Sequence, residues 1–188
     1  KQPLSEKSYQ KFTVFLKKAV ILLVVSICVI AHNERRYLKP LFKDILNQTF
    51  PKEETEIVFV NNKSTDSTKR MMLEFAERYG KLYAGIKVIE SPKNLQATAW
   101  NEAIMASDGR IIIRVDAHAS IPPKFVEENL RTLAHGEYIC GGGRPNKAAS
   151  DSGLSRTLLA AEECIFGSSF ASYRKTQKKK MYVKSVFH

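Results

Sequence analysis

The sequence predicts an α/β fold in which a mostly parallel central sheet carries helices on both faces. Three observations predict it. Short runs rich in Val and Ile are apolar on both faces, stretches of helical spacing separate them, and polar clusters stand where the apolar runs end. Strand and helix units repeated in series return to the sheet through crossovers, and a sheet built that way is parallel.

Residues 19–31 form an apolar run interrupted by Ser26 and preceded by Lys17 and Lys18. By composition this imitates a secretory signal, yet it is shorter than the roughly 20 apolar residues that cross a bilayer as a helix. Strand and helix units follow at once, so the run reads as the first strand, with residues 1–18 as an N-terminal extension and 19–188 as one domain. Residues 34–48 place Leu38, Leu41, Phe42, Ile45 and Leu46 at helical spacing, and Pro40 is tolerable only near the first turns. Residues 56–60 give the second strand. Asp66 and Thr68 offer capping chemistry for a helix that carries Met71, Met72, Phe75, Ala76 and Tyr79 and closes at Gly80. Ile86, Val88 and Ile89 mark a third strand, residues 97–106 a third helix, and residues 111–115 a fourth strand, again apolar on both faces. A further helix with Phe125, Val126, Leu130 and Leu133 follows Pro122 and Pro123. The segment GGGRPNKAASD at 141–151 is a long loop, and the helix-like stretch 158–166 holds Glu162 and Glu163, which read as solvent-facing charges.

Composition narrows the partners. Hydrophobic residues are 44% and charged residues 26%, the balance of an ordinary globular chain. A formal charge of +11 favours anionic partners, among them phosphate-bearing substrates and acidic lipid. Part of that surplus is local: Arg174, Lys175, Lys178, Lys179, Lys180 and Lys184 form a basic run. It reads as a solvated loop, a segment over the active site or a contact with anionic lipid. No RNP, KH or helix-turn-helix pattern is visible, so nucleic acid is not an expected partner. Cys28, Cys140 and Cys164 are odd in number and widely spaced, which fits reduced thiols in a cytoplasmic protein rather than a disulfide framework or zinc knuckle.

In parallel sheets ligands bind at the carboxyl ends of strands. Three such ends are polar here: Ala31-His32-Asn33-Glu34, the stretch from Asn61 to Asp66, and Asp116-Ala117-His118. Neither GxGxxG nor the Walker loop follows the first strand, which argues against nicotinamide, flavin and P-loop enzymes. Asp116 and His118, two residues apart after a buried strand, can offer two metal ligands or simply cap a turn. Asn62 reads as a ligand-binding acceptor or as an Asx-turn residue, and His32 as a ligand contact or as a histidine packed on the sheet edge.

Over roughly residues 25–188 the sequence resembles family 2 glycosyltransferases. VSICVIAHNE is similar to the family's opening strand and turn, EIVFVNNKSTDST to its second-strand motif, and SPKNLQATAWNEAI with DGRIIIRVDAHA to the segment leading into D-x-D. The DAHA-IPP variant resembles most the branch that builds bacterial exopolysaccharides such as succinoglycan. The resemblance implies a GT-A type fold whose Rossmann-like half binds a nucleotide-diphosphate sugar, UDP-sugar favoured. It also implies inverting, metal-assisted transfer to a polysaccharide or lipid-linked acceptor, in the cytoplasm at the inner face of the plasma membrane.

Position by position, Ala31, His32 and Glu34 would border base and ribose, and Asn62 would meet the uracil N3 proton. Asn101 would approach the sugar and phosphates, and Asp116 and His118 would hold Mn²⁺ or Mg²⁺. Departures are visible: Asn61-Asn62 replaces two carboxylates, Lys63 replaces a Gly, and Trp100 replaces a common Arg. The family's general base, in an E-D motif, is expected beyond His188, with the domain incomplete at its C-terminus. A non-catalytic nucleotide-binding module and a sugar nucleotidyltransferase are the alternative readings, although AHNERR lacks the latter's glycines.

Overall fold

The computed structural model describes residues 25–141 and 152–163. Four parallel strands form one sheet: β1 (Val25–Ala31), β2 (Thr55–Asn61), β3 (Gly85–Glu90) and β4 (Ile111–Asp116), in the order β3-β2-β1-β4. Helices α1 (Arg35–Leu46), α2 (Thr68–Tyr79) and α3 (Gln96–Ala106) make the crossovers, and α4 (Phe125–Leu133) follows β4. The predicted alternation is therefore observed, with bounds that differ by one or two residues. Residues 19–24, the front of the predicted first strand, lie outside the described residues. The chain divides into two compact units, residues 1–127 and 128–188. The first holds the sheet. The second contains the helix α5 (Gly153–Glu163), which begins five residues before the predicted 158–166 stretch.

Register decides which side chains share a face. Cys28 pairs with Val58 and Arg114, and Ile30 with Val60 and Asp116, so these point the same way. On that face Cys28, Ile30, Val58 and Val60 pack with Ala99 and Ala103 of α3, flanked by Ile89 and Trp100. The alanines let α3 lie close to the sheet. The opposite face buries Phe59 under Phe42 of α1 and Phe75 of α2, with ring centroids 4.5–5.6 Å apart. Tilted and edge-on ring contacts of this kind add to the burial itself.

One expectation needs correction. β4 is not buried on both faces: Ile112 is 42% exposed and Arg114 is half-buried. Among the described residues β4 is an edge of the sheet, and a strand there lacks a neighbour on one side. Pro40, by contrast, sits near the first turns of α1 as expected, in the second. Its ring removes the amide that the Arg36 carbonyl would accept, but both residues are exposed, so water can serve that carbonyl.

At the amino end of the sheet the chain is drawn tight. Gly109 donates its N–H to Ser26 Oγ at 2.9 Å, and a Cβ at Gly109 would lie 2.6 Å from the Ser26 nitrogen. Only glycine permits that approach.

Candidate functional site

The turn after β1 and the loop after β2 are built as one unit, and a single residue joins them. Asn33 takes the left-handed conformation at φ 58°, which short amide side chains tolerate. Its Oδ1 accepts from the Thr65 amide at 2.8 Å and the Asp66 amide at 3.3 Å, while its own amide donates to Ser64 Oγ at 3.1 Å. Neither Asp66 nor Thr68 is an N-cap, since Ser67 holds that position of α2 and Glu34 that of α1, but both side chains accept amides where these helices begin. Thr68 N–H donates to Asp66 Oδ1 at 2.9 Å, and Glu34 N–H, at the entry to α1, donates to Thr68 Oγ1 at 2.9 Å. Desolvation, the largest single influence on Asp66, raises its pKa. The bonds from Thr68 and Arg35 together outweigh it and hold the carboxyl below its ordinary value.

Loop-holding thus falls to Asn33 and Asn61 rather than to Asn62. Asn61 Oδ1 accepts from Ser64 N–H at 3.3 Å and its Nδ2 donates to Glu90 at 3.0 Å, a bond that lowers the Glu90 pKa with help from Lys69. The Asn62 main chain is used as well: its N–H donates to the Ala31 carbonyl at 2.8 Å and its carbonyl accepts from His32 Nδ1 at 2.7 Å. Its side-chain Oδ1 is buried with no hydrogen-bond partner among the described residues. An acceptor left in that state costs about 1–3 kcal/mol. Next to it in the second-strand loop, Lys63 holds φ 56° where the resembling motif has glycine.

Asn62 opens onto a cleft of about 180 Å³ at the carboxyl ends of β1, β2 and β4. Ala31, His32, Glu34, Asp116 and His118 line the same cleft, together with Ile30, Ala117 and Gln96. Six of the seven residues singled out by sequence therefore meet in one place. Asn101 does not. It is exposed on α3, five residues and about 7.5 Å of helix rise beyond Gln96, the residue of that helix that does reach the cleft. Gln96 opens α3, so the positive end of that helix faces the cleft.

His118 Nδ1 lies 3.2 Å from Glu34 Oε1. A carboxylate accepts, so Nδ1 is the donor and the lone pair for a ligand would be that of Nε2. Asp116 Oδ1 accepts from Arg114 Nη2 at 3.2 Å and Nε at 3.4 Å. The turn carrying His118 is anchored from α1: Asp44 accepts from Ser120 Oγ at 2.8 Å and from the Ile121 amide at 3.1 Å. No three His, Cys, Asp or Glu side chains converge as a metal cage among the described residues. Asp116 and His118 are the two cleft side chains that could hold a divalent ion if ligand oxygens completed the shell, and the imidazole would favour Mn²⁺ or a similar borderline ion over Mg²⁺.

Sequence reading missed Asn33, Gln96 and Arg114. Asn33 carried a signal, an amide residue in a strand-end turn. The other two lie in regular elements, where spacing does not announce a role. The basic run 174–184 and Cys164 lie outside the described residues, as do the side chains of Glu162 and Glu163. Cys28 and Cys140 are free thiols, and burial raises the pKa of both. No helix among the described residues is long and apolar enough to cross a membrane.

Residues 26–186 match the sequence profile of Glycosyl transferase family 2. A probable glycosyltransferase of Bacillus subtilis, YdaM, is 33% identical over 144 residues, covering 75% of this chain and 31% of the relative. A dolichyl N-acetyl-alpha-D-glucosaminyl phosphate 3-beta-D-2,3-diacetamido-2,3-dideoxy-beta-D-glucuronosyltransferase of Methanococcus voltae is 32% identical over 108 residues, covering 57% of this chain and 33% of that one. The chain thus spans about a third of the length of these curated relatives. Among solved structures, a mannosyltransferase of Pyrobaculum calidifontis in complex with GDP-Man and Mn²⁺ aligns with a TM-score of 0.57 at 26% identity, over 65% of this chain and 35% of that one. TarS of S. aureus in complex with UDP aligns at 0.53 and 23% identity, over 68% and 40%, a likeness of fold. The expected GT-A type α/β architecture is the one observed.

Proposed function

The chain belongs to glycosyl transferase family 2, and we propose that its strand-end cleft binds a nucleotide-diphosphate sugar, UDP-sugar favoured, as donor for an inverting, metal-assisted transfer. The observation that carries this reading is the buried, unpartnered Asn62 Oδ1 at the cleft wall. Uracil N3–H or guanine N1–H would supply the missing donor, whereas cytosine and adenine present a lone pair at the corresponding ring nitrogen. His32 stands beside Asn62 as the flat partner for a base.

The remaining wall suits a diphosphate. The amino end of α3 begins at Gln96 and favours anions. Glu34 holds His118 in the tautomer that leaves Nε2 available, and Asp116 faces the same space. Mn²⁺ or Mg²⁺ bound there would neutralise charge on the departing diphosphate. The Pyrobaculum mannosyltransferase, which holds GDP-Man and Mn²⁺, supports both the donor class and the metal. The acceptor is a polysaccharide or a lipid-linked saccharide, in keeping with the exopolysaccharide-type motif, and the acceptor's general base falls outside the described residues. On the same reading the basic residues 174–184 contact anionic lipid at the inner membrane face.

Calorimetry of UDP binding with and without Mn²⁺ tests the cleft. Asn62→Ala is expected to weaken UDP by about 1–3 kcal/mol, and Asp116→Ala to abolish the Mn²⁺-dependent increment. Equal affinity with and without Mn²⁺ would remove the metal, and unchanged binding by Asn62→Ala would return that residue to the loop scaffold.

A further inference from the structure

Arg114 is placed by three constraints. Register puts it on the α3 face of the sheet, two residues before Asp116 on the same strand. Its guanidinium lies over the ring of Trp100, 4.5 Å from the centroid, a contact that fixes the cation against a rigid plane. Its Nε and Nη2 both reach one Asp116 oxygen, at 3.4 and 3.2 Å. Arg114 is half-buried and the Asp116 side chain is 19% exposed, so water weakens this pair less than it would a surface pair. The cleft carboxylate that would hold a cation is thus already paired with a fixed one.

That pairing treats two forms of the metal differently. A bare divalent ion reaching Asp116 must approach a guanidinium of like charge. A divalent metal–nucleoside diphosphate complex carries about one net negative charge, since a diphosphate monoester bears about three near neutral pH, and the complex of a nucleotide-diphosphate sugar, a diester bearing about two, carries about none. Arg114 repels the free ion, attracts the nucleoside diphosphate complex and does not repel that of the sugar donor. We propose that Arg114, stacked on Trp100 and paired with Asp116, is a positioning residue that makes the cleft select a divalent cation already complexed with diphosphate over the free ion. This inference rests on the donor-site reading of the cleft given above.

The test uses the 188-residue chain, wild type and with Arg114→Met or Arg114→Lys. Free Mn²⁺ is followed by electron paramagnetic resonance, and UDP binding in saturating Mn²⁺ by calorimetry. Removing one charge at this range is expected to shift each affinity on the order of tenfold, in opposite directions. Arg114→Met should bind Mn²⁺ alone more tightly and Mn²⁺–UDP more weakly. Arg114→Lys, which keeps the charge and protects against a folding defect in the Met variant, should stay near wild type in the ratio of the two. Trp100 is the chain's single tryptophan, so its emission should change when Mn²⁺–UDP binds to wild type and not when Mn²⁺ is added alone at the same concentration. Affinities that move together, or not at all, would overturn the inference while Mn²⁺-dependent UDP binding by wild type kept the donor site standing. A wild-type chain that binds no UDP would overturn both.

Discussion

The two ends of the sheet carry similar polar groups and treat them in opposite ways. At the amino end Glu56 is 2% exposed, yet it accepts from Ser26 Oγ at 2.5 Å, the Asp108 amide at 2.9 Å and Lys87 Nζ at 2.7 Å. Lys87 in turn donates to the Ala106 carbonyl at 2.6 Å and pairs with Asp108 at 2.7 Å. Bonds to Asp108 first, and to Glu56 next, raise the Lys87 pKa. Every partner of that buried charge comes from the chain itself. At the carboxyl end Asn62 Oδ1 is equally hidden and has no partner among the described residues. A closed network adds stability; an open acceptor beside a cleft leaves a bond to be made by something that binds.

Substitution at each end should separate the two roles. Glu56→Ala strands the Ser26 and Asp108 donors and removes the mate of Lys87, so urea unfolding is expected to show a loss of about 3 kcal/mol. Asn62→Ala removes an acceptor that has no native mate, and with it the cost of burying that acceptor, so its unfolding free energy should not fall and should rise by up to about 3 kcal/mol while UDP affinity falls. Equal losses of stability at the two positions would erase the distinction.

A smaller effect sharpens the picture of the binding end. Lys63 holds a left-handed backbone at φ 56°, a conformation costly to a residue with a Cβ. Lys63→Gly is expected to raise stability by about 1 kcal/mol, read as a shift of the urea midpoint. A loss instead would mean that the Lys63 side chain, 4.0 Å from Glu90, outweighs the strain.

The mildest test is pH. Burial raises Tyr83 from 10.0 to about 12, and Lys87 is raised from 10.5. In both cases the folded chain keeps a proton that the unfolded chain has lost, so the stability is whole below pH 10 and falls as pH rises from 10 toward 12. Tyr83→Phe should flatten part of that alkaline limb in urea midpoints taken at pH 8 and 11. An unchanged slope would mean that Tyr83 takes no part in it.

The fold was legible because its signals are local. Apolar runs such as 57–60 admit little else, and Leu38, Leu41 and Ile45, spaced for one helix face, are all buried. Six of the seven candidate residues likewise line one cleft, since a parallel sheet gathers the carboxyl ends of its strands on one side. Asn101 lies away from the cleft for a physical reason. A helix turns 100° per residue, so belonging to the right segment does not aim a side chain at the cleft.

What sequence alone determined, then, is the succession of strands and helices and the end of the sheet at which the polar strand-end residues gather. Both follow from periodicity and from the handed, parallel return of the chain. Tertiary structure decided how neighbouring polar residues divide their duties. Asn33, Asn61 and Asn62 are chemically alike, yet two are spent on the loop and one faces the cleft unpartnered. Arg114 shares a face with Asp116 by strand spacing, but it met Trp100 only when β4 and α3 packed on one face. Those assignments depend on hydrogen-bond partners tens of residues away, and a spacing pattern holds no information about which partner will be within 3 Å.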